Sequence, residues 1–206
     1  MNIDTEDLIN SIMENLDKIQ LIDSDEIPNI ALYMDQVTTF MDEHLKETAR
    51  YKEKDKILTK TMINNYAKND LLPPPEKKKY SREHILILIL IYYFKNVLSI
   101  SDIQMLLKPL TEKYFGQESG CTVKEIYDEV MKMEQSQKEE QKKDIKSKYE
   151  ETEKIFGNAK VFEDVAEKER EELKTFAFIC MLGFDVYFKK LLIEKILDVY
   201  TTKEDT

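Results

Sequence analysis

The sequence predicts an all-α protein, and three observations lead there. Gly occurs four times and Pro five times in 206 residues, and no proline follows Pro109, so the residues that interrupt helices are scarce. Apolar residues recur at three- and four-residue spacing in most segments. Capping signatures stand before the apolar runs, "SISD" at Ser99 to Asp102 and "TVKE" at Thr122 to Glu125, as expected where helices start. The length suits one large domain or two small ones with a real core. The predicted organisation is an N-terminal amphipathic helix over 1–27, a central helical domain over 28–118, and a long helical hairpin over 119–206.

In the first segment Leu8, Ile9, Ile12, Met13, Leu16 and Ile19 keep helical spacing ahead of "DSDEIPN". Pro28 then opens a helix whose buried face is Ile30, Met34, Val37, Met41 and Leu45. The charged, aperiodic "ETARYKEKDK" reads as a helix end and a loop. Thr59 is a natural N-cap, its side-chain oxygen able to satisfy a first-turn amide. It precedes a short helix with Met62, Ile63 and Tyr66 facing inward, and Pro73 forbids continuation. Ser81 caps again, with Glu83 in the first turn. The run "HILILILIYYF" has the composition of a buried strand or a buried helix, and its unbroken length favours a helix from Arg82 to Val97.

The capped helix that follows carries Ile103, Leu106, Leu107, Leu110 and Tyr114, and Gly116 ends it. From Thr122 to Gly157 about 34 helical residues would extend roughly 50 Å. Their middle, "EQSQKEEQKKD", has no large apolar residue and depends on pairs such as Glu134 with Lys138, Glu139 with Lys143 and Asp144 with Lys148. A last helix over Val161 to Tyr200 has a broad apolar face including Leu173, Phe176, Cys180, Phe184, Tyr187, Leu191 and Leu192; Phe176, Phe178, Cys180, Met181, Phe184 and Tyr187 on it read as core, effector-pocket or dimer-seam residues. No internal repeat and no strong strand pattern is visible.

Two cysteines, Cys121 and Cys180, make no disulfide framework. The acidic "MNIDTEDL" is unlike a signal peptide, and "HILILILIYYF" is about half the length of a membrane span. These features predict a cytoplasmic protein with no membrane partner. His44 lies near Glu43 and Glu47, and His84 stands apart, so neither completes a metal site. With no Gly-rich phosphate loop and no nucleophile–histidine pair, the expectations are no enzyme, no metal and no cofactor.

Charge is what singles out a site. The chain carries −10, which disfavours polyanions. Yet between Tyr51 and Arg82 nine basic residues face four acidic ones, a local +5 that leaves −15 elsewhere. The short helix would present Lys60, Thr61, Asn64, Asn65 and Lys68 outward, with Tyr66 beside them; Asn can bond adenine through two contacts and Lys meets phosphate or guanine. The proline-stiffened loop after it carries Lys77, Lys78, Lys79, Tyr80 and Arg82, a wing suited to phosphates.

The string "LTKTMINNYAKNDLLPPPEKKKYSREHILILILIYYFKNVLSISDIQMLL" resembles the DNA-binding half of MerR-type transcription regulators. There a recognition helix is followed by a "GLLPP" turn, a basic wing ending in Tyr-Ser, a hydrophobic helix and an "LSLEEI"-like restart. The corresponding residues are Asp70 to Pro74, Tyr80-Ser81, Ile85 to Phe94 and Leu98 to Ile103. The segments "LYMDQVTTFM", "LTKTMINNY" and "KKKYSREHI" are also similar to an uncharacterised bacterial domain family. The MerR resemblance implies a winged helix-turn-helix over 28–118, double-stranded DNA as partner, regulation of transcription and a homodimer, with any effector left unspecified. In place of the Arg and Tyr usual before the second Tyr, this chain has Asn64 and Asn65. That departure, with the −15 outside the basic region, gives the alternative expectation of a protein-interaction or scaffold module that binds no DNA.

Overall fold

The computed structural model describes residues 9–11, 13–14, 21–52, 54–117, 119–158 and 160–201. Its elements are β1 (Leu32–Tyr33), α1 (Met34–Leu45), α2 (Lys60–Lys68), β2 (Lys79–Tyr80), α3 (Arg82–Phe94), α4 (Ile100–Tyr114), α5 (Val123–Asn158) and α6 (Glu167–Thr201), with 3-10 turns at Ser24–Glu26, Lys46–Thr48 and Lys160–Phe162. Helix dominates, as the composition predicts. Most of the N-terminal amphipathic helix falls outside the described residues; 9–11 and 13–14 are helical, and Ile9 is buried. The chain forms two compact units, 21–133 with 194–206, and 1–20 with 134–193.

The first unit is built around α3. Ile85, Leu86, Ile87, Leu88, Ile89 and Ile91 are each at most 1% exposed, so the helix is covered on every side. That explains why its sequence shows no polar face: a helix apolar all round is a buried helix. At about 1.5–3 kcal/mol for each such side chain, this burial dominates the unit's stability. The helix ends at Phe94 rather than Val97. Val97 and Leu98 both donate their amides to the Phe94 carbonyl, at 2.9 Å each. The Lys95 ammonium bonds the Ile57 carbonyl at 2.7 Å and lies 4.7 Å from the Tyr92 ring centroid, and burial lowers its pKa.

Helix α1 starts later than its periodicity suggests. Ile30 is 68% exposed and precedes the helix, because Leu32 and Tyr33 are extended and pair antiparallel with Tyr80 and Lys79. This two-stranded sheet has no alternating pattern in the sequence to announce it; two residues per strand are too few to show one. Gln36 accepts the Tyr33 amide at 2.9 Å and sets the helix start. Val37, Phe40, Met41 and Leu45 are then buried.

A strap ahead of β1, the 3-10 turn Ser24–Glu26, is tied down by distant residues. Arg82 donates to the Ser24 carbonyl at 2.5 Å and to Asp25 at 2.9 Å, and Tyr127 at the start of α5 donates to the Ile22 carbonyl at 2.7 Å. The Arg82 and Lys124 cations beside Asp25 hold its carboxyl below the usual range. The predicted capping boxes are present at Ser99–Asp102 and Thr122–Glu125. Ser81 caps α3 through His84, whose Nδ1 accepts the Ser81 amide at 3.0 Å.

In the second unit, the 134–158 part of α5 runs antiparallel to α6. Lys174 bonds Glu153 at 3.3 Å and Glu171 at 2.7 Å, and Lys148 meets Asp185 at 2.7 Å. Tyr149 packs edge-on against Phe178. The expected helix-stabilising pair Asp144–Lys148 forms; Glu139 also takes Lys142, Lys143 takes Glu140, and Glu134 accepts from Gln141. These are the i,i+3 and i+7 neighbours on the same helix faces. Helix α5 passes through Gly157 to Asn158, and α6 begins at Glu167 rather than near Val161, after a 3-10 turn over Lys160–Phe162. Among the described residues no helix is long and apolar enough to cross a membrane.

Candidate nucleic-acid interface

Helix α2 exists because Thr59 starts it and Asp70 ends it. The Thr59 hydroxyl accepts the Met62 amide at 3.2 Å. At the other end Asp70 takes φ +53°, and the amides of Leu71 and Leu72 both return to the Tyr66 carbonyl, at 2.9 and 3.2 Å. That left-handed step satisfies the Tyr66 carbonyl, which the last turn would leave open. It also drives Leu71 and Leu72 into the core, each 1% exposed. Ile63 and Tyr66 face inward with them, which leaves Lys60, Thr61, Asn64, Asn65 and Lys68 exposed. The polar stripe read from the sequence is therefore the outward face of this helix.

The prolines deliver the chain into a tight turn. The Lys79 amide bonds the Glu76 carbonyl at 2.9 Å, and the two central residues are Lys77 at φ +49° and Lys78 at φ +65°. Positive φ at both central positions is the pattern of a type I′ turn, which favours Asn and Gly. For an L-residue with a β-carbon the left-handed region costs about 1–2 kcal/mol. Two consecutive lysines there hold their ammonium groups in solvent at the expense of stability. Residues kept in such conformations concentrate at working sites.

The remaining predicted site residues divide. Lys79 is partly covered, its ammonium 5.0 Å from the centroid of the Tyr33 ring, which is the pairing the β1–β2 register dictates. Lys60 is ion-paired with Asp35 at the surface. Tyr66 and Tyr80 are 7% and 2% exposed; burial raises the pKa of both phenols, so they support the surface from beneath. Arg82 points away, to the Ser24–Asp25 strap. Among the described residues, Lys68, Lys77, Lys78 and Lys79 have no carboxylate within ion-pair distance.

Sequence reasoning missed Tyr33, 53% exposed beside Lys79. It sits 46 residues before Lys79 in the chain, and only the strand pairing joins them. Below the turn, His84 is enclosed by Tyr80 and Phe115, with ring centroids 5.5 and 4.7 Å away. Burial lowers its pKa, and the nearby carbonyls of Pro74 and Pro73 offset only part of that; its Nε2 has no hydrogen bond of good geometry. Among the described residues no group of three His, Cys, Asp or Glu side chains could hold a metal.

A family model described as a domain of unknown function, DUF1836, matches residues 22–130, just over half of the chain and the whole of α2 and the lysine turn. No curated protein and no solved structure matches.

Proposed function

This chain belongs to the DUF1836 family, and we propose that it is a cytoplasmic transcriptional regulator that binds duplex DNA through a MerR-like winged helix-turn-helix. Helix α2 is the recognition element, with Asn64 and Asn65 reaching base edges and Lys60, Thr61 and Lys68 flanking them. Lys77 and Lys78 at the turn, with Lys79 behind, hold phosphates. No catalytic step is assigned. The observation that carries the reading is the pair of unpaired lysines in left-handed backbone beside an exposed Lys/Thr/Asn helix face. A solvated turn would be served better by Asn-Gly, whereas a phosphate contact requires the charge.

The test is fluorescence anisotropy with duplex DNA obtained by genomic selection, titrated at several salt concentrations. Binding is expected to weaken linearly on a log–log salt plot, with a slope of about −0.9 for each phosphate contacted. N64A/N65A should keep that slope and lose the preference for the selected sequence. Absence of any binding at low salt would refute the reading. The second reading, an interaction module without DNA binding, is favoured by one observation: Lys60 and Arg82 are both engaged by carboxylates of the chain, Asp35 and Asp25.

A further inference from the structure

His84 lies beneath the lysine turn and takes no part in the proposed DNA surface. It is 4% exposed, and three segments close over it. Tyr80 of β2 meets the ring edge-on, and so does Phe115, just beyond α4; the third is the Pro73–Pro74 backbone, whose carbonyls act on it. Phe115 is kept in place by its neighbour, because the Gly116 amide donates to the Glu83 carboxylate at 2.8 Å. The hydrogen bonds fix which form of the ring this enclosure accepts. The Ser81 amide donates to Nδ1 at 3.0 Å, so Nδ1 offers a lone pair and the proton of the neutral ring is on Nε2. A second proton can only go to Nδ1, and there it turns the acceptor of the Ser81 amide into a donor. No neighbouring carboxylate is spared for the resulting charge. Tyr80 is a buried phenol, Glu83 is engaged by Gly116, Arg82 is turned to the Ser24–Asp25 strap, and Lys79 lies against Tyr33. On the segments that close over the ring, Asp70, Glu76, Lys77, Lys78, Glu112 and Lys113 are exposed.

Ser81 is also where the lysine turn is fastened to α3. It directly follows β2, which is two residues long. The pairing of β2 with β1 and the Lys79–Glu76 bond are what keep Lys77 and Lys78 at positive φ. A turn in a costly conformation persists only while its surroundings hold it there, and with so few bonds in hand the loss of one more is felt. We propose that His84 is an acid-operated latch on the lysine turn. With the ring neutral, the Ser81 amide is docked on Nδ1 and the turn is held. With the ring protonated, that bond breaks, and β2 and the turn come away from the start of α3. The latch stands whether or not the turn meets DNA, because it is built from Ser81, His84 and the residues that enclose them.

The experiment is NMR of the full chain between about pH 7.5 and about pH 4.5. The Cε1–H signal of the His84 ring follows its protonation. Hydrogen exchange, corrected for the intrinsic rate at each pH, gives the protection of the Ser81 and Lys79 amides, with Leu107 in α4 as the reference for global opening. Relative to Leu107, protection at Ser81 and Lys79 is expected to fall about fivefold or more, what a typical hydrogen bond contributes. The fall should follow the ring titration, below the ordinary 6.5. H84Q puts a capping residue that does not titrate at the same position, and its protection at the two amides should not change with pH. F115A opens the ring to solvent and should move the ring midpoint and the fall together toward 6.5. Flat protection while the ring titrates overturns the proposal, as does a ring that stays neutral throughout. A fall shared equally by Leu107, or one that persists in H84Q, overturns it too. If H84Q does not fold, F115A decides: a ring midpoint that moves without the amides overturns the latch.

Discussion

Replacing Lys77-Lys78 by Asn-Gly should make the protein more stable and worse at holding DNA. Both lysines are at positive φ, +49° and +65°. Glycine at the second position removes a conformational cost of about 1–2 kcal/mol but adds about 0.5–1 kcal/mol of unfolded-state entropy. Asparagine, which visits the left-handed region routinely, recovers part of the cost at the first. The net gain is about 1 kcal/mol, or a rise in melting temperature of roughly 2–4 °C for a protein of this size. Against that, the two phosphate contacts proposed for this turn disappear. With a slope of about 0.9 per contact, each is worth about 1.2 kcal/mol at 0.1 M salt. The variant should then bind DNA roughly fiftyfold more weakly, with a log–log salt slope shallower by about 1.8. Differential scanning calorimetry and salt-dependent anisotropy read the two halves separately. Unchanged or lowered stability would refute the strain; higher stability with undiminished DNA affinity would refute the role of the wing.

Two further outcomes follow from the same unit. The pKa of His84 is held below its ordinary 6.5 by burial, so the unfolded chain takes up a proton that the folded one refuses. The stability tied to this group is complete above pH 6.5 and is lost as pH falls toward the lowered value. Urea midpoints at pH 7.5 and 5.5 should therefore differ more for wild type than for H84Q, and equal differences would remove His84 as the cause. R82A should cost about 1.5–3 kcal/mol, because the charge-assisted bond to the buried Ser24 carbonyl is lost, while DNA affinity stays within about twofold. A large affinity loss with stability intact would return Arg82 to the DNA-contacting set.

Much of the unit was legible because the signals were local. Thr59, Ser81, Ser99 and Thr122 each carry their cap in the next three residues, and the helix face Lys60, Thr61, Asn64, Asn65 and Lys68 follows from a period set by Ile63 and Tyr66. Arg82 and Tyr33 were not legible. Arg82 is next to a basic run in sequence, but its partner is 57 residues earlier, and nothing in the spacing of the chain encodes that meeting. Tyr33 joins Lys79 by a strand pairing of two residues, below the length at which alternation can be seen.

From the amino-acid order alone came the helical class, the starts and stops of α2 and α4, the start of α5, and the concentration of cations between Tyr51 and Arg82. Those depend on backbone capping, on Gly and Pro, and on charge count, which act over a few residues. Tertiary structure alone decided that Lys77 and Lys78 occupy left-handed backbone, that Tyr66 and Tyr80 lie beneath the surface, and that Phe184, Tyr187 and Phe188 are left outside. Each of these depends on which distant segment arrives to cover a side chain, and apolar composition is the same for a residue covered by its own fold as for one left exposed.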